Sequence, residues 1–165
     1  MNATHIHLAI THLPIFGVLL GTFILIWGMW RKSADIKNVS YGIYIISAIG
    51  AGIAYATGEG AEDGVEGLPG VLGDLISRHE DFAQFALISM IALGIVALAA
   101  MFLSKRVNAI SRVSATVVLL VALLSFGLIG RTGQLGGQIR HTEVQNGISQ
   151  NVDVQQNAGA EEDDD

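Results

Sequence analysis

Residues 8–30 read LAITHLPIFGVLLGTFILIWGMW, an uncharged stretch closed at once by Arg31 and Lys32. At ~1.5 Å per residue in a helix, that length is enough to cross a hydrocarbon core of about 30 Å. A secretory signal peptide carries its positive charge ahead of the apolar run, and here the charge follows it. The stretch therefore reads as a retained membrane span. Three further uncharged stretches, 39–57, 82–103 and 113–130, are long enough to do the same.

Composition agrees with four spans. The chain has 165 residues, 51% hydrophobic and 15% charged, with mean hydropathy +0.51, against roughly 25% charged for a soluble domain. It has no cysteine, which excludes disulfides, thiolate nucleophiles, Cys-held iron–sulfur clusters, zinc ribbons and covalently attached c-type haem. Any metal or cofactor must then be held by His, carboxylate or Met. A net charge of −6 and a pI near 5.2 leave no global basic surface for nucleic acid.

Lys and Arg close to span ends stay on the cytoplasmic side. Arg31, Lys32 and Lys37 lie between spans one and two, and Lys105, Arg106 and Arg112 between spans three and four. Both termini are therefore expected outside the cytoplasm. With Asp35 the sole acid inside and fourteen acids outside beside Arg78, Arg131 and Arg140, the two faces carry +5 and −11. Short inner connections force antiparallel neighbours. The expectation is an all-α, up-down-up-down four-helix membrane bundle over residues 1–142.

The outer connection between spans two and three is Gly-rich and acidic, and residues 71–77 are expected to form a short interfacial helix. Residues 143–165, rich in Asn, Gln and Asp, hold too little apolar surface to fold and read as a disordered acidic tail. Gly17 and Gly21, and Gly50, Ala54 and Gly58, recur at four-residue spacing, which allows close helix approach in lipid or a flat macrocycle against the glycines. Trp27 and Trp30 read as the aromatic belt of the inner interface.

All five histidines, His5, His7, His12, His79 and His141, fall on the outer side of this topology. Spans one and three enter from that side as diagonal partners, so His12 and His79 are candidates to face each other across the bundle. Such a pair suits bis-imidazole ligation of a b-type haem between helices. Counted from the inner basic anchors, His12 stands about 28 Å up, His79 about 39 Å and His7 about 36 Å. His7 and His141 are thus alternative ligands. Gly133, Gly136 and Gly137 follow span four, between Arg131 and Arg140. That segment is read either as a site for an anionic group, such as a haem propionate or a lipid head group, or as a helix C-cap with Arg side chains reaching the interface.

The stretch His7-Leu-Ala-Ile-Thr-His12-Leu-Pro14-Ile resembles the opening His-Pro-x-x-x-His-Phe-Pro-Ile signature of the bacterial membrane family catalogued as domain of unknown function 2231. In that family the fourth span ends in Thr-Gly-x-Leu-Gly-Gly followed by a His. Here Thr132-Gly133-Gln134-Leu135-Gly136-Gly137 precedes Arg140-His141, and His79 begins the third span as the family's His does. The resemblance covers residues 5–142. It departs in Leu8, where the family often has Pro, and in a His141 that follows the double Gly sooner. It implies a multi-pass protein of the bacterial inner membrane, associated in some members with electron-transfer domains, and a haem-binding role for the histidines.

Two functional classes follow. The first is a non-catalytic b-type haem protein, an electron-transfer or respiratory accessory subunit working between a quinol or membrane oxidoreductase and an outer acceptor. The second is a divalent-metal-binding or structural membrane subunit, in which the outer histidines join Glu80 and Glu143 as ligands. A transporter is disfavoured because the spans hold no charged residue. Hydrolytic catalysis lacks a nucleophile, base and orienting group brought together by spacing.

Overall fold

The computed structural model describes residues 3–62, 73–103 and 108–140, all organised around helices. In chain order these are α1 (Ala3–Trp30), α2 (Ala34–Ala56), α3 (Gly58–Glu62), α4 (Gly73–Leu103) and α5 (Asn108–Arg140). The acidic tail and His141 lie outside the described residues.

The α1–α2 corner shows how the sequence makes an antiparallel pair. Lys32 takes a left-handed backbone conformation, φ 52°. Its N–H donates to Met29 O at 3.2 Å and the N–H of Ser33 to Gly28 O at 3.0 Å. This is the paired pattern of a Schellman cap, which satisfies the last carbonyls of α1. Ser33 then caps α2, its hydroxyl accepting from the N–H of Ile36 at 3.3 Å, with Asp35 in the positive first turn. Gly28 is required at the corner, since a Cβ there would meet the backbone N of Lys37 at 3.0 Å.

α1 packs on α2 and α5, and α4 packs on the same two helices, so α1 and α4 are diagonal partners in a four-helix bundle. The interior is small and weakly polar: Ala86, Ala97, Ala100, Ala115, Ala122, Ser40, Ser47 and Ser125 are buried beside Val18, Leu25, Tyr41, Tyr44, Met90 and Leu93. The exterior carries the larger apolar side chains, with Phe23, Ile95, Phe102 and Leu120 exposed. A protein in water would bury those residues; in lipid they face an apolar solvent, and small interior residues permit close packing. Buried hydroxyls cross between helices, Ser40 Oγ donating to Gly21 O at 2.9 Å and Ser125 Oγ to Ser89 O at 3.2 Å. Thr22 and Tyr44 are joined through their hydroxyls at 3.1 Å.

The glycine stripes serve the α1–α2 contact. A Cβ on Gly21 would stand 2.7 Å from the Tyr44 ring, one on Gly50 2.7 Å from Leu13, and one on Gly17 would collide with Ser47. Helix packing, rather than a macrocycle laid on the glycines, accounts for these positions. Trp30 is highly exposed at the corner, as a membrane-interface residue should be.

All four long helices outrun their uncharged stretches, α2 by its first turn, which holds Asp35 and Lys37. α1, with 28 residues, is about 42 Å long, α4, with 31, about 46 Å, and α5, with 33, about 50 Å. Two expectations change as a result. Gly73 to Ser77 are the first turns of α4, not a separate interfacial helix, because Leu75 and Ile76 find a buried apolar partner in Ile139. The Gly-rich segment after residue 130 likewise stays helical to Arg140 and forms no C-cap, because Leu135 and Ile139, four apart, give it a buried stripe. The α4–α5 pair thus projects beyond the uncharged layer with a small core of its own.

Candidate functional site

The site forms at that projecting end, from helices that are diagonal to each other. His7, near the start of α1, leans on the last turn of α2: its Nδ1 donates to Ala54 O at 2.9 Å and lies 3.4 Å from Thr57 Oγ1. Thr57 directs its own hydroxyl proton at the carbonyls of Ile53 and Ala54, both 3.0 Å away, so its lone pairs face the imidazole. His79, in the second turn of α4, leans on α5 in the same way, its Nδ1 donating to Thr132 O at 3.0 Å.

The chemical consequence is the same for both rings. A carbonyl oxygen can only accept, so the neutral imidazole carries its proton on Nδ1 and its lone pair on Nε2. That is the form in which histidine ligates metals, with the second nitrogen held by a backbone carbonyl. Both rings are partly buried.

Local sequence makes each approach possible. In a helix the side chain at position i+4 overhangs the carbonyl of residue i. Gly136 leaves room for His79 to approach Thr132 O, since a Cβ there would stand 3.0 Å from His79 Cε1 and 3.3 Å from Nδ1. Gly58, at the start of α3, comes within ordinary contact of the His7 ring, a Cβ there lying 3.8 Å from Cε1.

The other candidates are placed differently. His12 is exposed, its Nδ1 donating to Leu8 O of its own helix at 2.7 Å and its ring stacked on Phe16 at 6.1 Å and 16°. The structure therefore ties His7 and His79 to neighbouring helices, whereas His12, five residues further along α1 than His7, bonds only within its own helix. Pro14 lies inside α1 without ending it, so no break carries His12 deeper. Arg131 is exposed, donates to Gln134 Oε1 at 2.8 Å and lies over the Phe82 ring at 5.7 Å. Gly137 faces open space and Arg140 is the last residue of α5. Arg78 is paired with Asp74 at 2.9 Å on the exposed side of α4. Glu80 is exposed, and no three of His, Asp and Glu come together among the described residues. Glu143 lies outside those residues.

Sequence reasoning missed the two carbonyl partners and the role of Gly136. A signal was present in the heights, because His7 matches His79 more closely than His12 does.

Four apolar helices, each long enough to cross a bilayer and presenting their bulky residues outward, define a multi-pass integral membrane protein. Two imidazoles, one on each of two diagonal helices and each giving Nδ1 to a backbone carbonyl of the adjacent helix, distinguish one end of it. No family model, curated protein or solved structure matches this chain.

Proposed function

We propose that this protein binds a b-type haem through His7 and His79 and serves as an electron-transfer or accessory subunit in a membrane. The carrying observation is that two imidazoles on diagonal helices each give Nδ1 to a backbone carbonyl and keep Nε2 for a ligand. A porphyrin supplies four nitrogens itself and asks the protein for two, whereas a bare divalent ion takes about four or more ligands. The absence of a third ligating group among the described residues favours the former. Held there, haem b supplies a one-electron centre. The chain's own part is to orient both rings, and Thr57, the Thr132 carbonyl and the vacancy at Gly136 do so. By the distribution of Lys and Arg, this end faces away from the cytoplasm. Its acids, Glu59, Asp74, Glu80 and Asp81 among them, give a bound redox centre a negative surround.

The test is an optical spectrum of detergent-purified protein from haem-supplied cells, oxidised and reduced. A low-spin haem spectrum is expected, lost in His7→Ala and in His79→Ala and retained in His12→Ala. A colourless, folded preparation overturns the reading. Stoichiometric metal without porphyrin in elemental analysis replaces haem by a bare ion.

A further inference from the structure

The two histidines that reach a neighbouring helix are anchored unequally. His79 follows Leu75 and Ile76 by one turn, and both are buried with Ile139 of α5. Its ring is also confined by α5, since a Cβ on Gly136 would stand 3.0 Å from it. His7 lies in the first two turns of α1, where none of residues 4–13 is buried and Pro14 is the first residue that is. This arm meets α2 through Leu13 at Gly50 and through His7 at Ala54 O. Pro14 has no N–H to give Ile10 O, so α1 lacks one backbone bond where the arm joins the bundle. Beyond that point the arm is braced on itself, Thr11 Oγ1 and His12 Nδ1 both donating to Leu8 O, at 2.9 and 2.7 Å. A stiff arm with a bond missing at its root bends there and moves as one piece. Leaving Ala54 costs little, because that carbonyl also accepts from Thr57 Oγ1 at 3.0 Å and keeps this donor when His7 departs. Thr4, His5 and His7 precede the uncharged stretch that begins at Leu8, so the freed imidazole enters water rather than hydrocarbon.

We propose that His7 is an exchangeable ligand: the arm swings out at Pro14, and a small neutral π-accepting diatomic molecule takes the coordination position that its Nε2 leaves. The inference rests on the haem reading given above. His79 stays as the fixed ligand on the opposite side. The exchange breaks one iron–nitrogen bond and forms one bond to the diatomic ligand, with no electron transferred and the His7 ring leaving neutral. The acids of this end, Glu59, Glu80 and Asp81, disfavour an anion at the same position. Occupancy is then coupled to the position of the arm, since a ligand that binds only the open form shifts the equilibrium toward it.

Carbon monoxide titrated into the reduced, haem-loaded full chain in detergent tests it, read by the optical spectrum. The wild-type protein should pass from a low-spin spectrum to that of a carbon monoxide adduct. His7→Ala should keep its haem on His79, turn high-spin, and bind carbon monoxide about tenfold more tightly, because no arm has to be displaced. Imidazole added to that variant should restore the low-spin spectrum. Pro14→Ala gives Ile10 O its donor and should weaken binding about fivefold, the worth of one backbone hydrogen bond. A reduced low-spin haem that ignores carbon monoxide overturns the proposal and leaves the haem reading intact. Haem retained in His79→Ala and lost in His7→Ala reverses the two roles and overturns it. Equal affinity in Pro14→Ala and wild type removes the hinge, with the same result. A preparation without haem overturns the underlying reading and this one with it.

Discussion

Gly136 and His79 form a close fit across α4 and α5: a Cβ on Gly136 would stand 3.0 Å from His79 Cε1, and its absence lets His79 Nδ1 reach Thr132 O at 3.0 Å. The Thr132 carbonyl, which can only accept, places the proton of the neutral His79 ring on Nδ1. Adjacent Gly137 meets nothing within 4 Å, so neighbouring glycines on one helix have different uses.

Substitution separates them. Gly137→Ala should stabilise the protein by about 0.5–1 kcal/mol, the helix-propensity gain of Ala over Gly. Gly136→Ala should forfeit that gain by displacing His79, and Gly136→Val should cost about 1–3 kcal/mol by overpacking. Thermal unfolding in detergent reads all three, and equal melting temperatures for Gly136→Ala and Gly137→Ala would count against the fit.

His7 and His12 should differ in the same assay. His7→Ala removes a hydrogen bond between helices and leaves Ala54 O with one fewer donor, at about 1 kcal/mol. His12→Ala removes a bond within α1 on an exposed face, where changes stay within about 0.5 kcal/mol. A greater loss for His12→Ala would contradict the placement of the two rings.

The α1–α2 seam predicts a sharp contrast between glycines. Gly21→Ala drives a Cβ into the Tyr44 ring and should cost about 1–3 kcal/mol, and Gly42→Ala, which meets nothing, should be neutral or stabilising. Retention of the folded band on mild-detergent electrophoresis, across a temperature series, checks the order.

Lys32 pays a backbone penalty at the corner. Left-handed geometry costs an L-residue roughly 1–2 kcal/mol, so Lys32→Gly should raise stability by about 1 kcal/mol. Lys32→Ala, which keeps the Cβ, should not. Comparing the two melting temperatures removes the effect of lost charge, since both substitutions delete it.

Much of the fold was legible in the chain because lipid imposes few alternatives. Uncharged runs such as 82–103 have to be helices, since backbone groups find no water to bond in hydrocarbon. Boundaries were less legible. Thr132 to Gly137 looks like a helix end by composition, and the burial of Leu135 and of Ile139 against Leu75 and Ile76, residues distant in sequence, kept it helical. A local signal cannot report a contact made across more than fifty residues.

The sequence by itself determined four long apolar helices and the exclusion of thiol chemistry, because these follow from charge, length and residue inventory. Only the tertiary structure decided which histidines bond a neighbouring helix. His7 and His12 lie on one helix, and their roles diverge because the α1–α2 crossing turns His7 toward Ala54 and leaves His12 on the outer face against Phe16. Rotational position about a helix is set by packing against neighbours, and in lipid that packing depends on where Gly17, Gly21 and Gly50 let two backbones approach.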